Sequence, residues 1–538
     1  IYPAPPETKT RFAIIQKIFI IATKLLKKVN LRYIKTMIVP MVLISGYFSS
    51  ALRANDRETD CKANLAAKEY LYRVSNEDFL KQASMAVLAT TVSGDTIVCL
   101  SGDKMLVPAS TMKAITTGVT MHSCGTDFRF ETKIAYSGKI TEGILKGDLY
   151  IVGGGDPTLG SRDSIAIPVE KLFSEWKNSI TKAGIKRIEG RIIGDDRYFD
   201  RYAEVGSWQW DDTGTYYGTG VSGLSFHENM QNINVTPGDA PGRALKIKTG
   251  YPELPWMEYT FSCTTGKKGT GNSLYLYTSP FAPKGEMRGT LAIDRNTKTE
   301  QVSNKFPAYT CAWHFRKYLI ENGLECQGCA ADLGRVFGIG ENETVSQDSL
   351  HIIGSTFSPA LKRIAFETNH ESNNLYAETL FKSTGKEYCG TGSYDSARTA
   401  MKGILSELGI DTSYGCNIED GSGLSRQNCI SPDFMCRFLQ AMIDSPCFED
   451  YAETLPHPGG NGTLAYIMKN YPQENTDRIR MKSGSMNGIR CYCGYVIPTE
   501  GCKDDITVFS IMINNYFGSR SKLQGFLDRL IYLIACEN

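Results

Sequence analysis

Histidine is scarce in this chain. Its 538 residues include six, at His122, His227, His314, His351, His370 and His457, and none sits in a recognisable catalytic context. The metalloprotease pattern His-Glu-x-x-His does not occur, which argues against a helix-borne zinc hydrolase. Gly-x-Ser-x-Gly is absent too, so there is no nucleophile elbow of the Ser-His-Asp kind. Neither charge sign is in excess: the formal net charge is +1, which offers no electrostatic handle for nucleic acid or an anionic membrane surface. Long apolar runs are missing as well. The stretch Met37–Phe48 is too short to span a bilayer.

That stretch does follow basic residues Lys24, Lys27, Lys28, Arg32 and Lys35, and it leads into Ser49, Ser50, Ala51 and Ala54. Basic flank, short apolar core and small-residue exit predict a secretory signal within residues 1–54, cleaved near Ala51 or Ala54. Residues 1–36, which precede the first methionine at Met37, are expected to lie upstream of the translation start. Cysteine, by contrast, is plentiful at 16 residues. Cys326-Gln-Gly-Cys329 and Cys491-Tyr-Cys493 form close pairs, for which buried thiols or one or two disulfides are expected ahead of zinc. Alternation along a strand puts Cys491 and Cys493 on one side and Tyr492 on the other.

Hydrophobic periodicity predicts a helix near Asn64–Ala83, then strands Met85–Val92 and Thr96–Leu100 around a Gly94-Asp95 turn. Near the other end, Ile479–Ser483, Ile489–Ile497 and Ile506–Asn514 read as strands, the first two joined at Asn487-Gly488. A closing helix carries the apolar stripe Leu523, Phe526, Leu527, Leu530 and Ile534. Strands from both ends are expected to share one antiparallel sheet covered by terminal helices, an α+β fold. Residues 55–129 and 301–538 are assigned to this domain. The segment 130–300, with short strand-like runs and Gly-rich turns, is read as a β-rich insertion with room for two subdomains.

Three polar signatures follow in order: Ser110-Thr-Met-Lys113, Ser372-Asn-Asn374 and Lys482-Ser-Gly484. The first carries little information alone, because Ser-x-x-Lys starts at Ser101, Ser110, Ser174, Ser179, Ser383 and Ser519. Ser110 opens a helical pattern, which brings Lys113 onto the same face and leaves unpaired N–H groups near the hydroxyl, whereas Ser519, at the entry to the last helix, stands beside two further charges. A buried lysine can lose enough proton affinity to act as a base near neutrality. Ser372-Asn-Asn374 falls in an interhelical loop. Lys482-Ser-Gly484 ends a strand whose edge can bind an extended peptide while the cation holds a carboxylate.

On these motifs the chain resembles the penicillin-binding, serine-active DD-peptidases, and within them the D-alanyl-D-alanine carboxypeptidase/endopeptidase family of low-molecular-mass class C. Further matches are Gly147-Asp-Leu-Tyr-Ile-Val-Gly-Gly-Gly-Asp-Pro157, Asp420-Gly-Ser-Gly-Leu-Ser-Arg426, and Leu455-Pro456 followed by Gly459, Gly462 and Thr463. The long interval between Lys113 and Ser372 fits the family's large insertion. The resemblance implies a β-lactamase/transpeptidase-like domain in which Ser110 attacks the D-Ala-D-Ala carbonyl and Lys113 takes its proton. It also implies that Ser372, with Lys482 nearby, passes a proton to the leaving D-alanine, and that Asn374 orients the substrate amide. Lys482 and Ser483 in the Lys-Ser-Gly484 strand would bind the terminal carboxylate, and the N–H groups of Ser110 and Ser485 would hold the oxyanion. Arg426, Asp212 and Tyr217 would recognise the third stem residue. Two departures, Lys-Ser-Gly for the commoner Lys-Thr-Gly and Asn373 for a frequent Asp, leave the reacting groups intact.

The resemblance thus implies a periplasmic hydrolase acting on peptidoglycan stem peptides and acylated by β-lactam antibiotics, with no metal or cofactor and no nucleic-acid partner. A serine β-lactamase or esterase on the same scaffold is the alternative. Intact Ser110, Lys113 and Ser372 count against a non-catalytic cell-wall binding protein.

Overall fold

The computed structural model describes residues 65–340, 343–499 and 502–536, so the expected signal lies outside the described residues. Five antiparallel strands form the central sheet in the order Thr96–Leu100, Ser84–Thr91, Thr507–Asn514, Ile489–Val496, Ile479–Met486. Strands from both chain ends therefore share one sheet, and Ile479–Met486 is its edge. Alternation sorts the side chains between two cores. Cys491, Cys493 and Tyr495 face a helical layer, while Tyr492 and Val496 face the terminal helices Leu65–Ser75 and Arg520–Cys536. The stripe Leu523, Phe526, Leu527, Leu530 and Ile534 is wholly buried there, each side chain contributing about 1.5–3 kcal/mol on burial.

On the other face lie helices Met112–Cys124, Leu361–His370, Asn374–Cys389, Tyr394–Glu407 and Pro432–Ile443. Local signals set their ends. Gly125 (φ 82°) closes the first, and the Asn373 side chain caps the third by accepting from Tyr376 N at 3.1 Å. Ser431 caps the last, with Pro432 in its first turn.

Between the two halves of this unit the chain forms a β-rich region. One five-stranded sheet runs Ala330–Asp332, Ile192–Asp195, Leu149–Val152, Glu131–Tyr136, His351–Phe357. It packs with helices Val169–Lys182 and Pro307–Glu321 around one core. Two three-stranded sheets enclose a smaller core that includes Ile233, Leu276 and Met287. Strand pairing carries the region past the 300 boundary expected from sequence, because 330–332 and 351–357 complete a sheet begun at 131. The fifteen described cysteines are all free thiols. Among the described residues no helix is long and apolar enough to cross a membrane, and no cluster of three or more His, Cys, Asp or Glu could hold a metal ion.

Candidate active site

Ser110 sits in a tight turn, Ala109–Thr111, that runs directly into the helix starting at Met112. Ala109 adopts φ 47°, a left-handed conformation unfavourable for a residue with a Cβ. Two glycines let other segments press against this turn. A Cβ on Gly484 would lie 2.6 Å from the Pro108 carbonyl oxygen and 3.1 Å from the Ser110 nitrogen, and one on Gly423 would lie 1.9 Å from the Ala109 oxygen. Close approach to the Ser110 turn is what demands glycine at both places.

One turn further on, Lys113 is fully buried. Its Nζ lies 3.0 Å from Ser110 Oγ, 2.6 Å from Asn374 Oδ1 and 2.7 Å from the Ser422 carbonyl oxygen. Three acceptors match the three N–H bonds of an ammonium; once neutral, the amine can instead accept the Ser110 O–H. Burial brings the Lys113 pKa down to about 7, against an upward pull from Glu378 and Asp420. Such an amine is a base at neutral pH.

Ser372 follows the Leu361–His370 helix and takes φ 58°. This conformation lies beside Lys482, whose Nζ donates to Ser372 Oγ at 3.1 Å and to the Ser483 carbonyl at 3.0 Å. Burial, followed by repulsion from Lys113, lowers the Lys482 pKa. Ser483 Oγ lies 3.4 Å from Thr463 Oγ1. Ser485, one residue beyond Gly484, is exposed at the sheet edge. Three remote chain segments thus converge on a cleft of about 1090 Å³.

Residues 196–229 hold only short helical turns and line the other side of this cleft with Asp211, Asp212, Tyr216 and Tyr217. Asn374 Nδ2 donates to the Tyr217 carbonyl at 2.8 Å, which turns Oδ1 toward Lys113. Tyr217 donates its hydroxyl to Asp212 Oδ1 at 3.1 Å. Burial raises the pKa of both partners. Arg426 lines the same cleft, where its Nε donates to Gln209 Oε1 at 3.0 Å.

Sequence reasoning assigned no role to the support beneath Lys113. Buried Glu378 accepts from the Gly421 and Ser422 N–H groups at 3.2 and 2.7 Å. Asp420 accepts from Gly423 N, Ser425 N, Asn428 Nδ2 and Trp208 Nε1 at 2.6–2.8 Å. The two carboxylates aim the Ser422 carbonyl at Lys113, and Trp208 ties this loop to the cleft wall. Desolvation, reinforced by Asp420, raises the Glu378 pKa. Helical spacing puts Glu378 on one face with Asn374, four residues earlier, but carries no sign of the N–H groups it meets.

Comparison with known proteins agrees with this architecture. The family model described as D-Ala-D-Ala carboxypeptidase 3 (S13) matches residues 68–527. A D-alanyl-D-alanine carboxypeptidase of Actinomadura sp. (strain R39) is 28% identical over 493 residues, covering 89% of this chain and 86% of the relative. The penicillin-sensitive carboxypeptidase A of Dictyostelium discoideum is 24% identical, covering 94% and 98%. The crystal structure of penicillin binding protein 4 from Haemophilus influenzae superposes with TM-score 0.71 at 22% identity, covering 84% and 96% of the two chains. Another structure of that protein, complexed with a novel β-lactam, gives TM-score 0.68 at 21% identity, covering 85% and 97%. With the family match spanning most of its length, the chain belongs to the D-Ala-D-Ala carboxypeptidase 3 (S13) family of serine peptidases.

Proposed function

We propose that this protein removes the terminal D-alanine from peptidoglycan stem peptides through an acyl-enzyme on Ser110. The observation that carries the reading is the 3.0 Å contact between Ser110 Oγ and a buried Lys113 whose pKa falls to about 7. Neutral Lys113 takes the hydroxyl proton as Ser110 Oγ bonds to the carbonyl carbon. The backbone N–H groups of Ser110 and Ser485 receive the developing oxyanion. Lys482 and Ser483 bind the terminal carboxylate, and Asn374 orients the acyl amide. Collapse of the intermediate breaks the C–N bond while Ser372, beside Lys482, relays a proton to the departing amine. Water then cleaves the ester and regenerates Ser110.

A β-lactam offers the same carbonyl and carboxylate but keeps its leaving group tethered, so the ester persists. The β-lactam complex of a protein with this fold supports that reading. Cleavage of cross-bridges follows the same steps with a bulkier leaving amine, for which the cleft of about 1090 Å³ has space. Export to the periplasm by residues 1–54 is part of the proposal, supported by the basic and apolar pattern around Met37–Phe48.

The test is labelling with a fluorescent penicillin. Wild type forms a stable covalent adduct, and Ser110→Ala loses acylation by on the order of 10⁴-fold or more. Labelling that survives the substitution rejects Ser110 as nucleophile. Fast turnover of the penicillin makes the protein a β-lactamase instead.

A further inference from the structure

The catalytic cleft has a neighbour along one strand. In Tyr275–Ser279 alternate side chains share a face. Leu276 turns into the small core, while Tyr275 lines the catalytic cleft and Tyr277 lines a second hollow of about 400 Å³. The turn at residues 209–212 joins the two, with Asp212 N donating to the Gln209 carbonyl at 3.0 Å. Gln209, Asp211 and Asp212 line the cleft, whereas Trp210 lines the hollow. A Cβ on Gly214 would lie 1.7 Å from the Leu276 carbonyl oxygen, so the segment that follows this turn is seated on the strand.

Trp210 is the open surface of the hollow, 63% exposed. Its ring centroid lies 4.8 Å from that of Tyr277, with 44° between the planes. The Arg288 guanidinium lies 4.9 Å from the Tyr277 centroid, so Tyr277 is braced and the indole remains as the platform. The charges around it balance. Lys284 pairs with Glu258 at 3.1 Å and Arg288 with Glu286 at 2.7 Å, which leaves no net field to select a polyanion or a polycation. Among the described residues that line the hollow there is no Ala, Val, Leu, Ile, Met, Phe or Pro. An acyl chain or an aliphatic peptide therefore finds no matching surface. Aromatic rings flanked by donors and acceptors, without net charge, suit a neutral pyranose sugar. Its C–H face lies on the negative face of an indole, and its hydroxyl and amide groups hydrogen-bond at the edges.

We infer that the hollow beneath Trp210 is a saccharide subsite, which takes a neutral N-acetylhexosamine ring of the glycan strand that carries the stem peptide. The inference deepens the peptidase reading above and rests on it for the source of the sugar. A pentapeptide stem cleaved at its last bond keeps four residues between that bond and the sugar, about 13–14 Å when extended. That reach puts the sugar outside the reacting centre, on the scale of an adjoining subsite.

The test uses the full chain and one pentapeptide in two forms, free and joined through its N-terminus to the glycan disaccharide. Release of D-alanine from each gives a ratio of kcat/KM values, glycosylated over free, which cancels any effect common to both. In wild type the expected ratio is about ten, the scale of one aromatic stacking contact. It is carried by KM, because the sugar is bound equally in ground and transition states. Trp210→Ala should bring the ratio near one, and Trp210→Phe, which keeps a ring, should retain part of it. Penicillin labelling alongside reports a folded cleft in each variant. A second probe is a peptide-free N-acetylglucosamine trimer, whose binding to wild type by calorimetry should be lost in Trp210→Ala. A wild-type ratio of one, or a preference that survives Trp210→Ala, overturns the inference. So does a wild-type dimer that Trp210→Ala dissociates, since the hollow is then an interface between copies of this chain. If D-alanine is released from neither peptide, the peptidase reading fails, and the trimer decides the subsite alone. Binding that depends on Trp210 then supports it, and the lack of such binding overturns it.

Discussion

Among the described residues four lysine side chains are buried, and they divide into two pairs with opposite surroundings. In the catalytic cleft, Lys113 and Lys482 meet a hydroxyl, a side-chain amide and backbone carbonyls, with no carboxylate in contact among the described residues. Where residues 196–229 are anchored, Lys382 Nζ lies 2.5 Å from Asp200 Oδ1 and 3.1 Å from the Tyr202 carbonyl, and Lys305 is paired with Glu204 and the Gly218 carbonyl. Burial lowers the proton affinity of all four, but only the anchoring pair has a contacting anion to oppose it. The lesson is that desolvation alone does not define a base. A lysine bonded to neutral oxygens can give up its proton, whereas one bonded to a carboxylate is a fixed strut.

Substitution breaks the comparison most sharply at Lys113. Lys113→Ala should slow acylation by penicillin about 10²–10⁴-fold. Its denaturant midpoint should fall little, since the lost ammonium was itself costly to bury. A drop in stability without a drop in acylation rate would make Lys113 a strut after all.

Titration comes next. Below about 7 Lys113 is charged and cannot accept a proton, so acylation should fall about tenfold per pH unit and level off above that point. Stability has its own signature. The unfolded chain binds more protons than the folded one between about 7 and the 10.5 of an ordinary lysine, so this group makes stability rise with pH across that window. A flat rate profile from pH 5 to 8 would contradict the assignment.

Lys382→Met should reverse the Lys113 pattern. Leaving Asp200 without its partner costs roughly 3 kcal/mol, toward the low end because the Asp200 side chain keeps 31% exposure. Chemical denaturation reads the loss, and acylation per folded molecule should stay within severalfold of wild type. The smallest effect belongs to a surface lysine. Lys317 Nζ lies 2.8 Å from Glu253 Oε2, but the two side chains are 41% and 61% exposed. Lys317→Ala should therefore change stability by under about 1 kcal/mol.

Much of this arrangement was legible in the sequence, for a physical reason. The shared sheet and the terminal helix follow from side-chain periodicity, which is a local property of strands and helices. Ser110 could be singled out among six copies of its motif because a helix start leaves a pattern of its own, and the structure places it beside Lys113. Glu378 could not be picked out, because a glutamate on a helix looks the same whether it meets solvent or two buried N–H groups. The hydrogen bond of Trp208 left no local trace, since its partner Asp420 is remote in sequence. The extent of the β-rich region was missed for a related reason. The strands 330–332 and 351–357 are short, and their partners lie before residue 200.

The pairing of Ser84–Thr91 with Thr507–Asn514 has a consequence for biosynthesis. A ribosome builds the Ser110 turn early, yet the sheet that receives it stays incomplete until the strand Thr507–Asn514 has been made. Lys482, Gly484 and Ser485 arrive late as well, so a nascent chain carries Ser110 without the strand that would arm it. Neither end of the described chain can therefore build the central sheet without the other.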